Sequence, residues 1–293
     1  MTSADHYELL SNNFLSLVRT LGEAVSGDEK LLHFTGNSGH IIAVKAKPAR
    51  VGLWFYQLVG CLENGLTYEL HTMMMRVDKS RNETAVVDEV MRRWKNVIDG
   101  FHSPCLLIFD KYYFSRGSLE VLLDAEQSTS TMFIGSTRKS SMAKVCDSLK
   151  GKVNKPGQWE GLYHADSNLV LIEYYDFDPN IKKKTVLSNA FVNSKKKPPA
   201  AAVPVFDEYK AAFAFCDKFN KGLYERCWPH KQGGYLRLGD LGHQHNFAMS
   251  CALQNVFNVY CQINFVAPNS VDYVTHSLQL ADEIYAFASG LTY

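Results

Sequence analysis

"SPCLLIFDKYYFSRGSLEVLLDAE", residues 103–126, decides how the rest of the chain is read. Cys105 to Phe109 are all apolar and the next residue is Asp110. A short run that is apolar throughout, bounded by turn residues, has the pattern of a strand buried on both faces. The pattern behind it, "SLEVLLDAE", is helical. Ser115 and Ser118 are both candidate N-caps, and Gly117 between them favours the later start. Asp110 therefore closes a central strand immediately before a helix. Acids at strand ends are ordinary turn formers. The sharper reading is that Asp110 holds something at the carboxyl end of that strand.

Working outward, Leu9, Leu10, Phe14, Leu17, Val18 and Leu21 recur at helical spacing, which predicts a helix over 8–26. "GDEKLLHFTG", "GHIIAVKAKP" and "GLWFYQLVGCLENGLTYELHTMMM" are apolar or alternating runs broken by Gly, Pro and Asn64–Gly65. They predict three or four strands, with a hairpin at the Asn-Gly pair. "NETAVVDEVMRRWKNVID", 82–99, predicts a helix capped by Asn82, with Val86, Val87, Val90, Met91, Trp94 and Val97 on one face. "STMFIGSTR" reads as a strand and "SSMAKVCDSLKG" as a helix. Residues 157–192 give three more strand-like runs, and three helical patterns follow, beginning in "FDEYKAAFAFCDKFNKGLYERC", "HNFAMSCALQNVFNVYCQINF" and "SVDYVTHSLQLADEIYAFASGL". No internal repeat is evident. Antiparallel strands that continue through helical crossovers belong to a mixed sheet flanked by helices. The ribonuclease-H-like architecture has that order, here with a β-rich insertion before the last catalytic helix. The expected divisions are a helical lead-in over 1–26, a core over 27–144 and 204–293, and a lysine-containing insertion over 145–203.

Composition narrows the class. The 293 residues, 46% of them hydrophobic, are enough to bury a core. No apolar run is long enough for a transmembrane helix, and "MTSADHYELLSNN" has no signal-peptide pattern, so a soluble intracellular protein is expected, without membrane partners. Seven scattered cysteines with no CxxC pair predict reduced, mostly buried thiols and no zinc site. Net charge is +1, which does not mark a nucleic-acid binder. Local charge says more: Lys182, Lys183, Lys184, Lys195, Lys196 and Lys197 fall in a stretch from Pro179 to Phe206 that has no acid. Such runs are usually solvated loops; the alternatives are phosphate contacts or a nuclear localisation patch. His243 and His245, in a Gly-rich stretch, read as polar loop surface.

A ribonuclease-H-like sheet brings carboxylates of its first strand, its fourth strand and a later helix to two divalent ions. Hard oxygen ligands suit Mg²⁺, and ions about 3.5–4 Å apart activate an attacking oxygen and stabilise the leaving one. Asp28, expected to open the first strand, and Asp110 are the first two candidates. Asp207, Glu208 and Asp217 are the helical ones.

Several blocks in order resemble the piggyBac transposase family. "GDEKLLHF", followed by "KAKPARVGLWFYQLVG", is similar to the family's Asp-Glu-x-Leu-Leu-x-Phe strand and the Lys-Pro strand after it. "LLIFDKYYFSRGSLEVLL" resembles its apolar strand ending in an acid and aromatics, and "FIGSTRKS" its Gly-Thr-x-Arg segment. "VFDEYKAAFAFCDKF" occupies the place of its last catalytic helix, and Trp228 in "ERCWP" matches a family tryptophan. The resemblance runs from about residue 8 to the end and implies Asp28 and Asp110 as catalytic acids and ligands of Mg²⁺ or Mn²⁺. The family's third acid falls on Ala214 of "AAFA", 211–214, while a further acid is kept as Asp217, one helical turn away. Only 27 residues precede Asp28, no cysteine-rich zinc region follows, and "KQGGYLRLGDLGHQ", 231–244, looks like an added loop.

Three readings follow from the resemblance. One is a domesticated domain in the nucleus that has lost transposition but still binds DNA through Arg138, Lys139 and the six lysines, with a second copy or a host protein as further partners. Another is a metal-dependent DNA nuclease or strand-transfer enzyme in which Asp217 replaces the missing ligand. The third is a protein-interaction module on a transposase scaffold.

Overall fold

The structure, a computed structural model, describes residues 24–34, 39, 41–44, 51–63, 65–74, 83–101, 104–124, 131–137, 149, 152–164, 166–177, 183–190, 202–226, 240–268 and 272–288. The first strand, β1 (Ala24–His33), is followed by a short β2 (Ile41–Ala43), β3 (Val51–Cys61) and β4 (Thr67–Met74). Then come α1 (Glu83–Asp99), β5 (Cys105–Phe109), α2 (Arg116–Leu123) and β6 (Thr131–Ser136). Three strands, β7 (Trp159–His164), β8 (Leu169–Tyr175) and β9 (Lys183–Ser188), precede four helices: α3 (Ala202–Phe213), α4 (Phe215–Arg226), α5 (Asp240–Ile263) and α6 (Tyr273–Ala288).

All nine described strands form one mixed sheet in the order β2-β3-β1-β5-β6-β9-β8-β7, with β4 also on β3. β1, β3 and β4 are antiparallel neighbours, whereas β1–β5 and β5–β6 are parallel. The parallel pairs arise because α1 and α2 carry the chain back to the starting edge before each next strand. β9 then pairs antiparallel with β6, so the strands of the expected insertion extend the same sheet.

Side chains alternate between the two faces and make two cores. One packs Trp94, Val90 and Met91 of α1 and Leu122 of α2 against Val25, Leu107, Phe109 and Phe133. The other packs Phe206 and Tyr209 of α3, Phe219 of α4 and Phe247 of α5 against Leu32, Phe55, Ile108 and Val186. The apolar run 105–109 is buried at every position because β5 has a helical layer on both faces.

Local detail corrects several expectations. Ala24, Val25 and Ser26 belong to β1, so the helical lead-in does not reach 26; the rest of that helix, Asn82 and the helix expected around 140–151 lie outside the described residues. Asp28 sits in mid-strand and does not open it. A Gly-containing start was legible as a turn, but Gly27 is needed inside the strand because a Cβ there would overlap the Trp94 ring. The helix after Asp110 is capped by Ser115, whose Oγ accepts from Ser118 N at 2.9 Å. Gly117 falls within that helix, where a Cβ would collide with the Asp88 carboxylate. Gly65 has φ of 80° in the β3–β4 turn, a conformation glycine adopts without penalty. The helix expected to run through 206–227 is two helices meeting at Ala214. Residues 240–244 of the supposed loop, with His243 and His245, begin α5.

Candidate functional site: a carboxylate pair at the strand ends

β1 and β5 run in parallel with Gly27 paired to Phe109. Asp28 and Asp110 are each one residue beyond that pair, and the charges of both act on Tyr209. Alternation sets their direction. Ala24 and Leu32 of β1, and Leu106 and Ile108 of β5, all face the core under α3–α5, and the two acids share that parity. Both are half-buried.

Backbone amides fix each acid. Glu29 N donates to Asp28 Oδ1 at 2.7 Å, and Tyr112 N donates to Asp110 Oδ1 at 2.6 Å. The second is an Asx turn, closed further by Tyr113 N donating to the Asp110 carbonyl at 3.2 Å. Asp110 is thus a turn former and a site candidate at once. On the opposite face Tyr113 donates its hydroxyl to Glu29 Oε2 at 2.9 Å, which anchors the same turn to β1.

The roof over the pair comes from α3 and α4. Tyr209 is 2% exposed, and burial, together with the nearby charges of Asp110 and Asp28, pushes its phenol up to about 12. It therefore stays a neutral hydroxyl at any ordinary pH. From α4, Cys216 Sγ lies 3.4 Å from the Ser26 carbonyl, and burial, with the Asp28 charge, drives its thiol well above the usual range. Asp217 is in the first turn of α4 and is exposed. Ala214 separates α3 from α4, and its carbonyl accepts Lys218 N at 2.9 Å.

Two of the three predicted acids are therefore neighbours, with the helix of the third above them. Among the described residues no group of three or more His, Cys, Asp or Glu side chains is arranged to hold a metal ion. The donor set next to the sheet is two hard carboxylates, right in kind for Mg²⁺ or Mn²⁺ and one short of three.

Of the predicted basic contacts, Lys183 and Lys184 lie on β9, half-buried. Arg138, Lys139, Lys182, Lys195, Lys196 and Lys197 lie outside the described residues. Lys184 Nζ stands over the rings of Tyr209 (5.3 Å) and Phe213 (5.7 Å), which connects β9 to the same helix that roofs the acid pair.

Three residues of this neighbourhood were missed in the sequence: Tyr209, Cys216 and Lys30. The apolar stripe Val205, Phe206, Tyr209, Ala212 marks Tyr209 as core-facing, and its hydroxyl is the signal that it meets something polar there. Lys30 shares the Asp28 face of β1. Its amine donates to Asn220 Oδ1 at 2.6 Å, and burial lowers it to about 8.

No protein-family profile matches the chain, and no curated protein matches it by sequence. By fold it is similar to a piggyBac transposase, solved by cryo-EM as a synaptic complex with hairpin DNA. The TM-score is 0.60 at 16% identity, covering 87% of this chain and 54% of that one. The chain thus spans about half the length of that protein. No described helix is long and apolar enough to cross a membrane.

Proposed function

We propose that this chain is a piggyBac-transposase-derived domain of ribonuclease-H-like architecture that binds DNA and has lost transposition. The strand order β4-β3-β1-β5-β6, with β3 antiparallel to β1 and both later strands parallel to it, supports the architecture. The observation that supports the reading is that Asp28 and Asp110 each follow the last β1–β5 pair, Gly27 and Phe109, by one residue. A divalent cation such as Mg²⁺ or Mn²⁺ would be held there by Asp28 and Asp110, and would supply activation of a water or hydroxyl for attack on phosphorus. With alanine at 214 that ion lacks the helical ligand of a three-acid site, which favours binding over cleavage. The partner is DNA, held through backbone phosphates by Lys183 and Lys184 together with Arg138, Lys139, Lys182, Lys195, Lys196 and Lys197. The place of work is the nucleus, for which the lysine runs are the support.

Nicking of supercoiled DNA in Mg²⁺ and in Mn²⁺ tests this. The wild-type chain is expected to bind DNA in a salt-sensitive manner and to leave it intact. Ala214→Asp is expected to tighten Mn²⁺ binding about tenfold by returning a carboxylate to the helix junction. Cleavage by the wild type that is lost in Asp28→Ala, Asp110→Ala and Asp217→Ala would overturn the binding-only reading. It would favour the second one, an active nuclease using Asp217, which the position of that acid in the first turn of α4 supports.

A further inference from the structure

We propose that Lys184 and Lys210 form a phosphate subsite beside the acid pair, held closed by Asp176, which stands in for the phosphate when no ligand is bound. The inference rests on the nucleic-acid reading above and assigns one contact of that interface.

The two lysines come from different elements and reach the same place. Lys184 is on β9, opposite Tyr174 of β8, and its amine lies over Tyr209 and Phe213. Lys210 is on α3; its amine pairs with Asp176 Oδ2 at 2.6 Å and stands 5.5 Å from the Tyr174 ring centre. Burial lowers Lys184, with Asp176 raising it and Lys210 lowering it, so these charges act on one another. Lys210 is itself raised by its hydrogen bond to Asp176 and by the charge of Asp207.

The fixed charges on this face are Lys184 and Lys210 against Asp176 and Asp207, since Lys183 alternates to the other face of β9 with Leu187. Two ammonium groups on one patch repel, and an anion between them relieves that cost. Exposure decides which anion can arrive. The Asp176 side chain is 6% exposed and lies beneath, whereas the Lys210 side chain is 40% exposed and faces solvent. A phosphate therefore meets the ammonium groups first and can take Lys210 from Asp176 without unfolding anything. Charge-assisted hydrogen bonds to phosphate are strong enough to compete with an internal carboxylate. Tyr209 sets the spacing. Its ring lies under Lys184, while its hydroxyl feels Asp110 and Asp28. A strand whose phosphate sits on the lysines would lead along that ring to the carboxylate pair.

The ligand chemistry is a phosphodiester backbone, and the test separates it from small phosphates. Binding of a fluorescein-labelled DNA duplex is measured by anisotropy across a salt series. Inorganic pyrophosphate is titrated separately while the Lys184 and Lys210 ammonium signals are followed by NMR. Lys184→Gln and Lys210→Gln are each expected to weaken DNA binding about tenfold at low salt and to reduce the salt slope by about 1. Asp176→Asn is expected to do the reverse, tightening binding about threefold or more by removing the internal competitor. Thermal melting of each variant excludes loss of fold, and the NMR arm reads the wild type alone. DNA binding unchanged in all three variants overturns the subsite and leaves nucleic-acid binding standing. Lysine signals that move with pyrophosphate, without DNA binding, keep the subsite and overturn the nucleic-acid reading. No DNA binding and no shift overturn both.

Discussion

The two faces of the central sheet are built from the same strands and covered by helices, yet their chemistry differs. Under α1 and α2 the core is aromatic: Trp94, Tyr113, Tyr56, Phe109 and Phe133 pack with ring centres 4.9–6.3 Å apart. Under α3, α4 and α5 an apolar core shares its space with buried polar groups. Lys30, Gln57 and Glu69 are each no more than 5% exposed there, with Asn255 and Asn258 reaching in from α5. Gln57 Nε2 donates to Glu69 Oε1 at 2.7 Å, and Asn255 exchanges two hydrogen bonds with the Glu69 backbone. The acid pair, Tyr209 and the lysine patch all lie on this second face. The aromatic face has buried charge as well, Lys95 paired with Asp99, but the groups proposed to take a ligand are on the other.

The contrast breaks most clearly at Trp94. Truncation to alanine removes the largest fully buried side chain on the aromatic face and is expected to cost about 3–5 kcal/mol in urea unfolding. DNA affinity at temperatures where the variant stays folded should not change. A loss of affinity there would mean that the faces are not separate in function.

Asn255 sharpens the comparison from the polar side. β4 is an edge strand, and the Asn255 side chain accepts from Glu69 N at 2.8 Å and donates to Glu69 O at 2.9 Å, as a neighbouring strand would. Asn258 Nδ2 donates to Thr67 O on the same edge. α5 thereby covers an edge that would otherwise invite pairing with another chain. Asn255→Ala leaves a buried amide and carbonyl unsatisfied. It is expected to cost about 2 kcal/mol and to raise concentration-dependent association, read by light scattering.

The third effect is a slope. Lys30 is lowered to about 8 in the folded chain from an ordinary 10.5, chiefly by burial. Between those values the unfolded chain holds the proton that the folded chain has lost, so this group makes stability rise with pH from about 8 to 10.5, at no more than about 1.4 kcal/mol per pH unit. Buried Cys105, Cys216, Tyr113 and Tyr209 are shifted upward and act in the opposite sense as pH rises. The readout is therefore the difference between wild type and Lys30→Met. That difference should grow in favour of wild type across the window, and a flat difference would show that Lys30 carries no penalty in its site.

Much of this fold was legible in the residues. The apolar run 105–109, the helical spacing of Val86, Val90 and Trp94, and the acid at 110 fix a central strand between two helical crossovers, because burial on both faces leaves no polar position. The candidate acids Asp28 and Asp110 were legible too, since each ends or interrupts an apolar pattern. The register was not. Gly27 pairs with Phe109, and the space a Cβ at 27 would take is filled by Trp94, a contact from residues far along the chain. The break at Ala214 was equally hidden, since "KAAFAFCDKF" is helical by propensity and splits only where α3 and α4 each pack on the sheet. The convergence of Lys184, Lys210 and Asp176 joins three elements whose spacing in sequence carries no trace of it. Sequence determines what a short window can bury, because burial acts residue by residue. Which charges meet is decided by tertiary structure, because electrostatic partners are chosen by distance in space.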